Sequence, residues 1–318
     1  MRQKFESAFF TLETLAEGVY AAIANKGAGA MSNAGFIDMG DYTLVFDTFT
    51  TPAAARELKK AADELIGNPV KKVINSHYHG DHTFGNQVFE DADIIATELT
   101  KQLHAERNAV QDLEKERIEM REYLDGLMVR AAKTPDSILK YSIIQQYEEI
   151  SHVANSLSEL KLVLPNVLFE NSLEIIGSKR RVELYCHGGG HTPSDAYLFL
   201  PDEKIAFMGD LVLEDLHPPI HSTKAFLENL DKVKQHDIEV IVPGHGNVVS
   251  KNQIAVMQTY LNKVITRATD ALNKNIPLEE LVEEMTPEEY AHWTGVDGFK
   301  RSLTAVYKEL EESNINYK

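Results

Sequence analysis

Three histidines and one aspartate lie within six consecutive positions of this chain: His77, His79, Asp81 and His82. Imidazole nitrogen and carboxylate oxygen are ligands that divalent transition metals take from proteins. The segment directly follows the apolar run Val70–Ile74, which predicts a buried strand that ends at these side chains. In extended chain, residues i and i+2 point the same way, so His77 and His79 can bind one ion together. If the chain then turns into a helix, Asp81 and His82 reach a second position close by, and one segment supplies ligands to two metals.

Three further residues of metal-binding type follow predicted strands downstream: His191, Asp210 and His245. Each comes directly after a glycine, and glycine lets the backbone bend closely around an ion. Each turn alone is weak evidence, because a Gly-Asp pair after a strand is commonly a plain turn. Together with the first segment they complete two coordination spheres, which chance rarely produces.

In order and separation, these motifs resemble those of the metallo-β-lactamase-fold hydrolase superfamily, over about residues 9–249 without the stretch 98–164. The resemblance implies an α/β fold, an αββα four-layer sandwich with two sheets inside, helices outside and a dinuclear metal site at one edge. Gly189 stands where the family usually has a proline, which removes no ligand. The ligand sets implied by the resemblance are His77, His79 and His191 for the first metal, Asp81, His82 and His245 for the second, and Asp210 as the bridge.

The chemistry implied by these ligands is hydrolysis. They suit two Zn²⁺ ions and also accommodate Fe²⁺ or Mn²⁺. Two such ions can share one water and lower its pKa towards neutrality, so that a bridging hydroxide attacks a carbonyl. Asp81 is the expected catalytic residue, because it can orient this hydroxide and carry its proton. Because the bridging position holds an aspartate and not a cysteine, the ligand set resembles that of the thioesterase, lactonase and glyoxalase-type members of the superfamily. We therefore expect a zinc-dependent hydrolase of an ester, thioester or lactone bond in a small molecule.

Two other activities of the same fold stay open. One is an iron-dependent oxidoreductase, although the complete second ligand set disfavours mononuclear persulfide dioxygenases and the lack of a flavin-binding extension disfavours di-iron oxygen reductases. The other is a β-lactamase. It is disfavoured because family lactamases often carry a basic residue soon after the bridging ligand, and here no Lys or Arg occurs between Asp210 and Lys224.

Three residues near the expected mouth of the site are candidates for substrate contact: Tyr78, His217 and His221. Surface loop histidines more often have no function, so this assignment competes with a purely structural one. Thr192 and Ser194 are candidates for hydrogen bonds that hold His191 or its loop.

Composition limits the partners and the compartment. The 318 residues contain 32 Lys and Arg against 49 Asp and Glu, for a net charge of −17, which disfavours nucleic acid as a partner. Cys186 is the only cysteine, which excludes an intrachain disulfide. The first residues lack the apolar core of a signal peptide, and no run approaches the ~20 apolar residues of a membrane span. We expect a cytoplasmic protein with a small-molecule substrate and no membrane partner.

The elements that must position these residues form two similar series. Residues 9–47 contain four short apolar runs separated by turn residues, typical of an antiparallel meander. A helix with Thr51 as N-cap and Pro52 as its first residue follows. Strands, a helix and a strand occur in the same order from residue 167 to residue 242, which suggests an internal duplication.

Two helical additions complete the predicted organisation, in which residues 1–318 form a single metallo-β-lactamase-like domain. Residues 98–164 carry apolar positions at helical spacing, and we expect one long helix from Glu98 and a second after residues 134–136. Three arrangements of this helical hairpin stay open: packing on its own domain, a lid over the site, or a homodimer interface. The sequence does not decide among them. An amphipathic helix at residues 252–273 opens a helical C-terminal extension over residues 251–318.

Overall fold

Two β-sheets pack against each other in this protein, for which a computed structural model describes residues 5–315. The first sheet holds seven strands in chain order. They are β1 (Phe10–Ala16), β2 (Val19–Ala24), β3 (Ala34–Asp38), β4 (Thr43–Phe46), β5 (Val70–Ile74), β6 (Asp93–Thr97) and β7 (Val167–Phe169). The first four strands form the predicted antiparallel meander, and β4 to β7 run parallel.

The second sheet holds six strands in the order β13-β12-β11-β10-β9-β8. They are β8 (Ser172–Ile176), β9 (Arg181–Cys186), β10 (Ala196–Leu200), β11 (Ile205–Phe207), β12 (Val240–Val242) and β13 (Val249–Ser250). Four antiparallel strands again lead through a helix into a parallel strand, because β12 pairs parallel with β11. Both sheets therefore repeat the order that the sequence predicts.

Helices cover the outer faces of both sheets and complete the predicted αββα sandwich. They are α1 (Pro52–Leu65), α2 (Gly80–Thr83), α3 (Glu98–Arg107), α4 (Leu113–Lys133), α5 (Ser137–Ser156), α6 (Thr223–Val233), α7 (Asn252–Asn273), α8 (Leu278–Leu281) and α9 (Gly298–Ile315). Residues of α1 pack on the first sheet, and residues of α6, α7 and α9 pack on the second. A third apolar core fills the space between the sheets. Within the described residues, no helix combines the length and apolar character needed to cross a lipid bilayer.

Local signals place two helices as predicted. The Thr51 hydroxyl accepts a hydrogen bond from the Ala54 N–H, and Pro52 is the first residue of α1. Helix α7 has the predicted bounds, 252–273. These ends are recognisable because capping and proline geometry act over only a few residues.

The single long helix expected from Glu98 is wrong, because it is divided into α3 and α4. Asp112 caps the start of α4 by accepting hydrogen bonds from the N–H groups of Glu114 and Lys115. Asn108, just beyond α3, donates instead to the carbonyl oxygen of Tyr78. The apolar spacing continues across the break, so periodicity alone did not reveal it.

The side chain of Phe207 lies in the core between the two sheets, so its substitution tests how much that core stabilises the fold. Its side chain is 1% exposed and packs against Phe46, and a Cβ at Gly35 would lie only 2.2 Å from the Phe207 ring. Phe207→Ala should lower the free energy of unfolding by about 3–5 kcal/mol because it leaves a cavity in that core. Urea denaturation would measure the loss. The control Ile118→Ala, at a side chain that is 59% exposed on α4, should cost under about 0.5 kcal/mol. Equal losses for the two variants would contradict this core.

Candidate metal centre

Seven ionisable side chains meet at one edge of the two sheets. They are His77, His79, Asp81, His82, His191, Asp210 and His245. The first four follow β5, on the loop and in α2, while the others lie between β9 and β10, directly after β11, and after β12. The loops of both sheets therefore bring these seven side chains, which the sequence analysis singled out, close together.

The seven side chains form two groups, within each of which the potential ligand atoms lie within 4.8 Å of one another. His77, His79, His191 and Asp210 form the first group, and Asp81, His82 and His245 form the second. The two oxygens of Asp210 face different groups.

The distances around Asp210 show this division. Its Oδ2 lies 3.1 Å from Nε2 of His191 and 4.0 Å from Nε2 of His77. Its Oδ1 lies 3.2 Å from Nε2 of His82 and 3.4 Å from Nε2 of His245. One carboxylate thus has the position that a bridging ligand needs.

Ring nitrogens of the first group face one another at short distances. Nδ1 of His79 lies 2.9 Å from Nε2 of His77 and 3.1 Å from Nε2 of His191. Nitrogens that bind zinc tetrahedrally at 2.0–2.1 Å are separated by about 3.3 Å. Nε2 of His82 and Oδ1 of Asp210 are buried and lie 3.2 Å apart, but neither makes a contact of hydrogen-bond geometry within the described residues. Buried polar atoms rarely lack a partner, so a cation between the two groups would satisfy both.

Outer hydrogen bonds orient the imidazoles. Nδ1 of His82 lies 2.7 Å from Oδ2 of Asp47. Nδ1 of His191 lies 3.2 Å from the carbonyl oxygen of Pro219, and Nδ1 of His245 lies 3.1 Å from the carbonyl oxygen of Met31. An oxygen acceptor at Nδ1 places the proton there and leaves the Nε2 lone pair towards the cluster. His79 is oriented the other way, with Nδ1 towards the cluster.

Asp47 is a site residue that the sequence analysis missed. It follows β4, has a positive φ of 55°, and is fully buried. Its carboxylate accepts hydrogen bonds from the Ser76 N–H and hydroxyl, both at 2.8 Å, as well as from His82. Because Nδ1 of His77 lies 3.0 Å from the Ser76 hydroxyl, Asp47 orients His82 directly and His77 through Ser76. The available signal for Asp47 was its position directly after β4, the strand that pairs with β5.

Asp195 holds the His191 loop. Its carboxylate accepts hydrogen bonds from the N–H groups of His191, at 2.9 Å, and Thr192, at 3.0 Å. The Thr192 hydroxyl donates to the Ser194 carbonyl oxygen, in line with the expected hydrogen bonds within this loop. Burial raises the pKa of Asp195 to about 7, while its hydrogen bonds oppose the shift.

The three predicted substrate contacts do not lie on the wall of the cavity above the cluster. His217 is 4% exposed, packs against Trp293 and places Nδ1 2.9 Å from the Tyr260 hydroxyl. His221 is exposed and lies outside the cavity. Tyr78 packs against His79, with their ring centres 4.7 Å apart, and does not line the cavity. His217 was expected near the mouth, but α7 and α9 cover its loop, which local sequence does not reveal.

The cavity itself has a volume of about 470 Å³, and its floor contains five of the seven cluster residues. Helix α5 forms one wall, with Tyr141, Gln145 and Glu149 among its lining side chains. The Glu149 carboxylate accepts hydrogen bonds from the N–H groups of Gly27, at 2.7 Å, and Gly29, at 3.0 Å, and so fixes α5 to the loop after β2. Helix α5, within the stretch 98–164, therefore contacts the loop after β2 and lines the cavity.

Charge differs between the two histidine groups. Burial lowers the pKa of His77 well below its usual value and that of His191 to about 3. Burial also acts to lower the pKa of His245, but the Asp210 and Asp81 carboxylates outweigh it and raise that pKa to about 10. In the metal-free protein at neutral pH, the histidines of the first group are therefore neutral, while His82 and His245 of the second group hold an extra proton.

Metal uptake should consequently release protons from the second group only. The pKa of His82, like that of His245, is raised by nearby carboxylates against the effect of burial. A metal ion must displace these protons, so the affinity for the second ion should fall steeply from about pH 8 to about pH 6, while that for the first changes little. Calorimetric titration in two buffers of different ionisation enthalpy would count the protons. Equal proton release in both steps would contradict this assignment.

Asp47→Asn should weaken metal binding by about 10–100-fold, because the variant loses the charge that orients His82. Competition with a chromophoric chelator would measure the affinity. Asp63→Asn is the matched control, because Asp63 is exposed on α1 and its side chain forms no hydrogen bond or ion pair within residues 5–315; it should bind metal like the unmodified protein. Unchanged affinity in Asp47→Asn would show that the outer carboxylate is dispensable.

Comparisons with known proteins agree with this fold. A linear primary-alkylsulfatase from Pseudomonas sp. (strain ATCC 19151) is 19% identical over 268 residues, which cover 78% of this chain and 49% of that protein. The solved structure of the stereoselective inverting sec-alkylsulfatase Pisa1 from Pseudomonas sp. has a TM-score of 0.68 at 19% identity and covers 94% of this chain and 50% of that chain. This chain thus spans about half the length of these alkylsulfatases.

A metallo-beta-lactamase from Pontibacter korlensis also shares the fold, with a TM-score of 0.58 at 18% identity over 80% of this chain and 99% of that chain. The sequence model of the metallo-beta-lactamase superfamily matches residues 27–245, which include all seven clustered side chains. This chain belongs to the metallo-beta-lactamase superfamily.

Proposed function

We propose that this protein is a metal-dependent hydrolase that cleaves an ester bond of a small molecule. The observation that carries the proposal is the Asp210 carboxylate, which faces two groups of ligand side chains on the floor of one cavity. The relatives support it, because those named above are alkylsulfatases and a metallo-beta-lactamase. A sulfate ester of an aliphatic alcohol is therefore the first substrate to test.

The proposed ligand sets are the two spatial groups. His77, His79 and His191 would hold one ion, Asp81, His82 and His245 the other, and Asp210 would contact both. Zn²⁺ suits this mixture of nitrogen and carboxylate oxygen, with Fe²⁺ and Mn²⁺ as alternatives. Two such ions would supply a water of lowered pKa and polarise the bond to be cleaved.

Asp81 is the proposed proton carrier. Its Oδ2 lies 3.2 Å from Nε2 of His245 and 3.5 Å from Nε2 of His82, and the side chain lines the cavity. Burial acts to raise the pKa of Asp81, but His82 and His245 hold it below its usual range. The carboxylate is therefore ionised at neutral pH and can take a proton from the attacking water and return it to the leaving group.

The cavity wall suits the aliphatic part of a substrate. Ile23, Met31, Leu216 and Val296 form apolar surface within the same cavity as the cluster. Carboxylic esters, thioesters and lactones form the second candidate class, because the same ligand groups would serve attack at a carbonyl.

The β-lactam alternative also stays in the test set. It was disfavoured because no basic residue follows Asp210 closely, but the folded chain brings Arg301 and Lys26 to the cavity wall from elsewhere. A cation for a substrate carboxylate is thus available there.

One experiment tests the proposed function. Hexyl sulfate, a hexanoate ester, a thioester, a lactone and a β-lactam would be assayed on a sample whose metal content is measured. We expect hydrolysis of at least one ester, two divalent ions per chain and loss of activity after chelation. One iron per chain with oxygen uptake would instead support the oxidoreductase alternative.

Asp210→Ala should lower kcat/KM by more than the roughly 100-fold that loss of an outer hydrogen-bond partner can cost. The reason is that neither ligand group keeps its shared carboxylate. Asp202→Asn, on an exposed turn, is the control and should retain full activity. Full turnover together with two tightly bound metals in Asp210→Ala would reject the ligand assignment.

A further inference from the structure

The carboxylates on the cavity wall already have partners. Glu149 is held by the two backbone N–H groups described above. Glu214 accepts a hydrogen bond from the Asn247 side chain at 2.9 Å, and Asp215 lies 3.3 Å from Nε2 of His292. These acidic groups are therefore not free to bind a cationic substrate group without losing an existing contact.

Arg301 places a positive charge at the same cavity, and within the described residues its side chain has one hydrogen-bond partner. It lies in the first turn of α9, and its side chain lines the same cavity as the cluster. Nη2 donates to the His217 carbonyl oxygen at 3.3 Å. The nearby Asp297 forms an ion pair with Arg130 instead. Within residues 5–315, no carboxylate oxygen lies within the 4.0 Å ion-pair distance of the Arg301 guanidinium.

The free part of the guanidinium can receive an oxyanion. Its planar set of N–H donors matches two oxygens of a sulfate or carboxylate group, and such charged hydrogen bonds are stronger than neutral ones. Lys26 brings a second positive charge to the lining of the same cavity, where its Nζ lies 5.8 Å from the centre of the Tyr141 ring. The apolar residues Ile23 and Leu216 line this cavity as well.

From this placement we infer that Arg301 binds an oxyanion of the substrate and is a specificity-determining residue of this protein. The substrate class is then an amphiphile with an oxyanionic group and an apolar chain. The oxyanion is either the reacting group of an alkyl sulfate or a separate carboxylate on a carboxylic ester. The inference rests on the proposed function only for this choice, because binding at Arg301 does not require hydrolysis.

Binding of hexane-1-sulfonate tests Arg301 without turnover, since this anion has no ester bond. Isothermal titration would compare the metal-loaded unmodified protein with Arg301→Gln, Arg301→Lys and Arg121→Gln. We expect binding at least about tenfold weaker in Arg301→Gln and intermediate binding in Arg301→Lys, which keeps the charge without the planar donor set. Arg121 is exposed on α4 outside the cavity, so its variant should bind normally.

Equal affinity of Arg301→Gln and the unmodified protein would overturn the inference. If Arg301→Gln fails to fold, as judged by its thermal unfolding, then Arg301→Lys decides: binding several-fold weaker supports the inference and unchanged binding overturns it. The fluorescence of Trp293, the only tryptophan, offers a second readout beside the cavity-lining residues His292 and Thr294.

Kinetics would then identify the source of the oxyanion. The substrates are hexyl sulfate and two carboxylic esters of equal length, one ending in a carboxylate and one neutral. If Arg301 binds the reacting sulfate, Arg301→Gln raises KM for hexyl sulfate at least about tenfold. If it binds a separate carboxylate, the variant loses activity on the anionic ester and keeps that on the neutral one. Equal losses of activity on the two esters in Arg301→Gln, together with an unchanged KM for hexyl sulfate, would overturn the inference. If no substrate is hydrolysed, the proposed function fails, while sulfonate binding still decides on Arg301.

Discussion

Burial of the Asp210 carboxylate between two groups of imidazoles is the constraint on which this structure depends. The side chain is 6% exposed, and the Asp47 carboxylate, which contacts His82 from the other side, is fully buried. Buried carboxylates are costly unless positive charge and hydrogen bonds compensate them. Here that charge comes from protons on His82 and His245 or from metal ions that replace those protons. The site is therefore built around cations, whichever form they take.

The two sheets must meet closely for this arrangement to exist. Asn33, at the start of β3, donates from its side chain to the carbonyl oxygens of Pro243 and Gly246 on the other sheet's ligand loop, at 2.9 and 2.8 Å. A Cβ at Gly244 would lie 1.9 Å from Oδ1 of Asp210, so any side chain there would displace the shared carboxylate. The loops of the two sheets thus fix each other's positions, and the apolar core between the sheets fixes both.

The sequence predicted what depends on local geometry. The ligand motif after β5, the Thr51 cap and the strand runs are properties of a few adjacent residues, and the αββα layers followed from them by resemblance. The site residues that it missed act across long separations: Asp47 reaches His82, and Glu149 of α5 reaches Gly27. No periodicity or spacing records such contacts. The burial of His217 was missed for the same reason, because helices more than 30 residues away in sequence cover it.

The helical wall of the cavity and the clustered side chains on its floor come from different parts of the chain. Helices α4 and α5 join the segment before α9 through the Arg130–Asp297 ion pair and through the Ser142 hydroxyl, which accepts from the Gly295 N–H at 3.0 Å. None of these four residues belongs to the seven-residue cluster. Substitutions at these helix contacts can therefore alter the shape of the cavity while the clustered side chains stay in place. The wall of the cavity can thus vary in sequence independently of its floor.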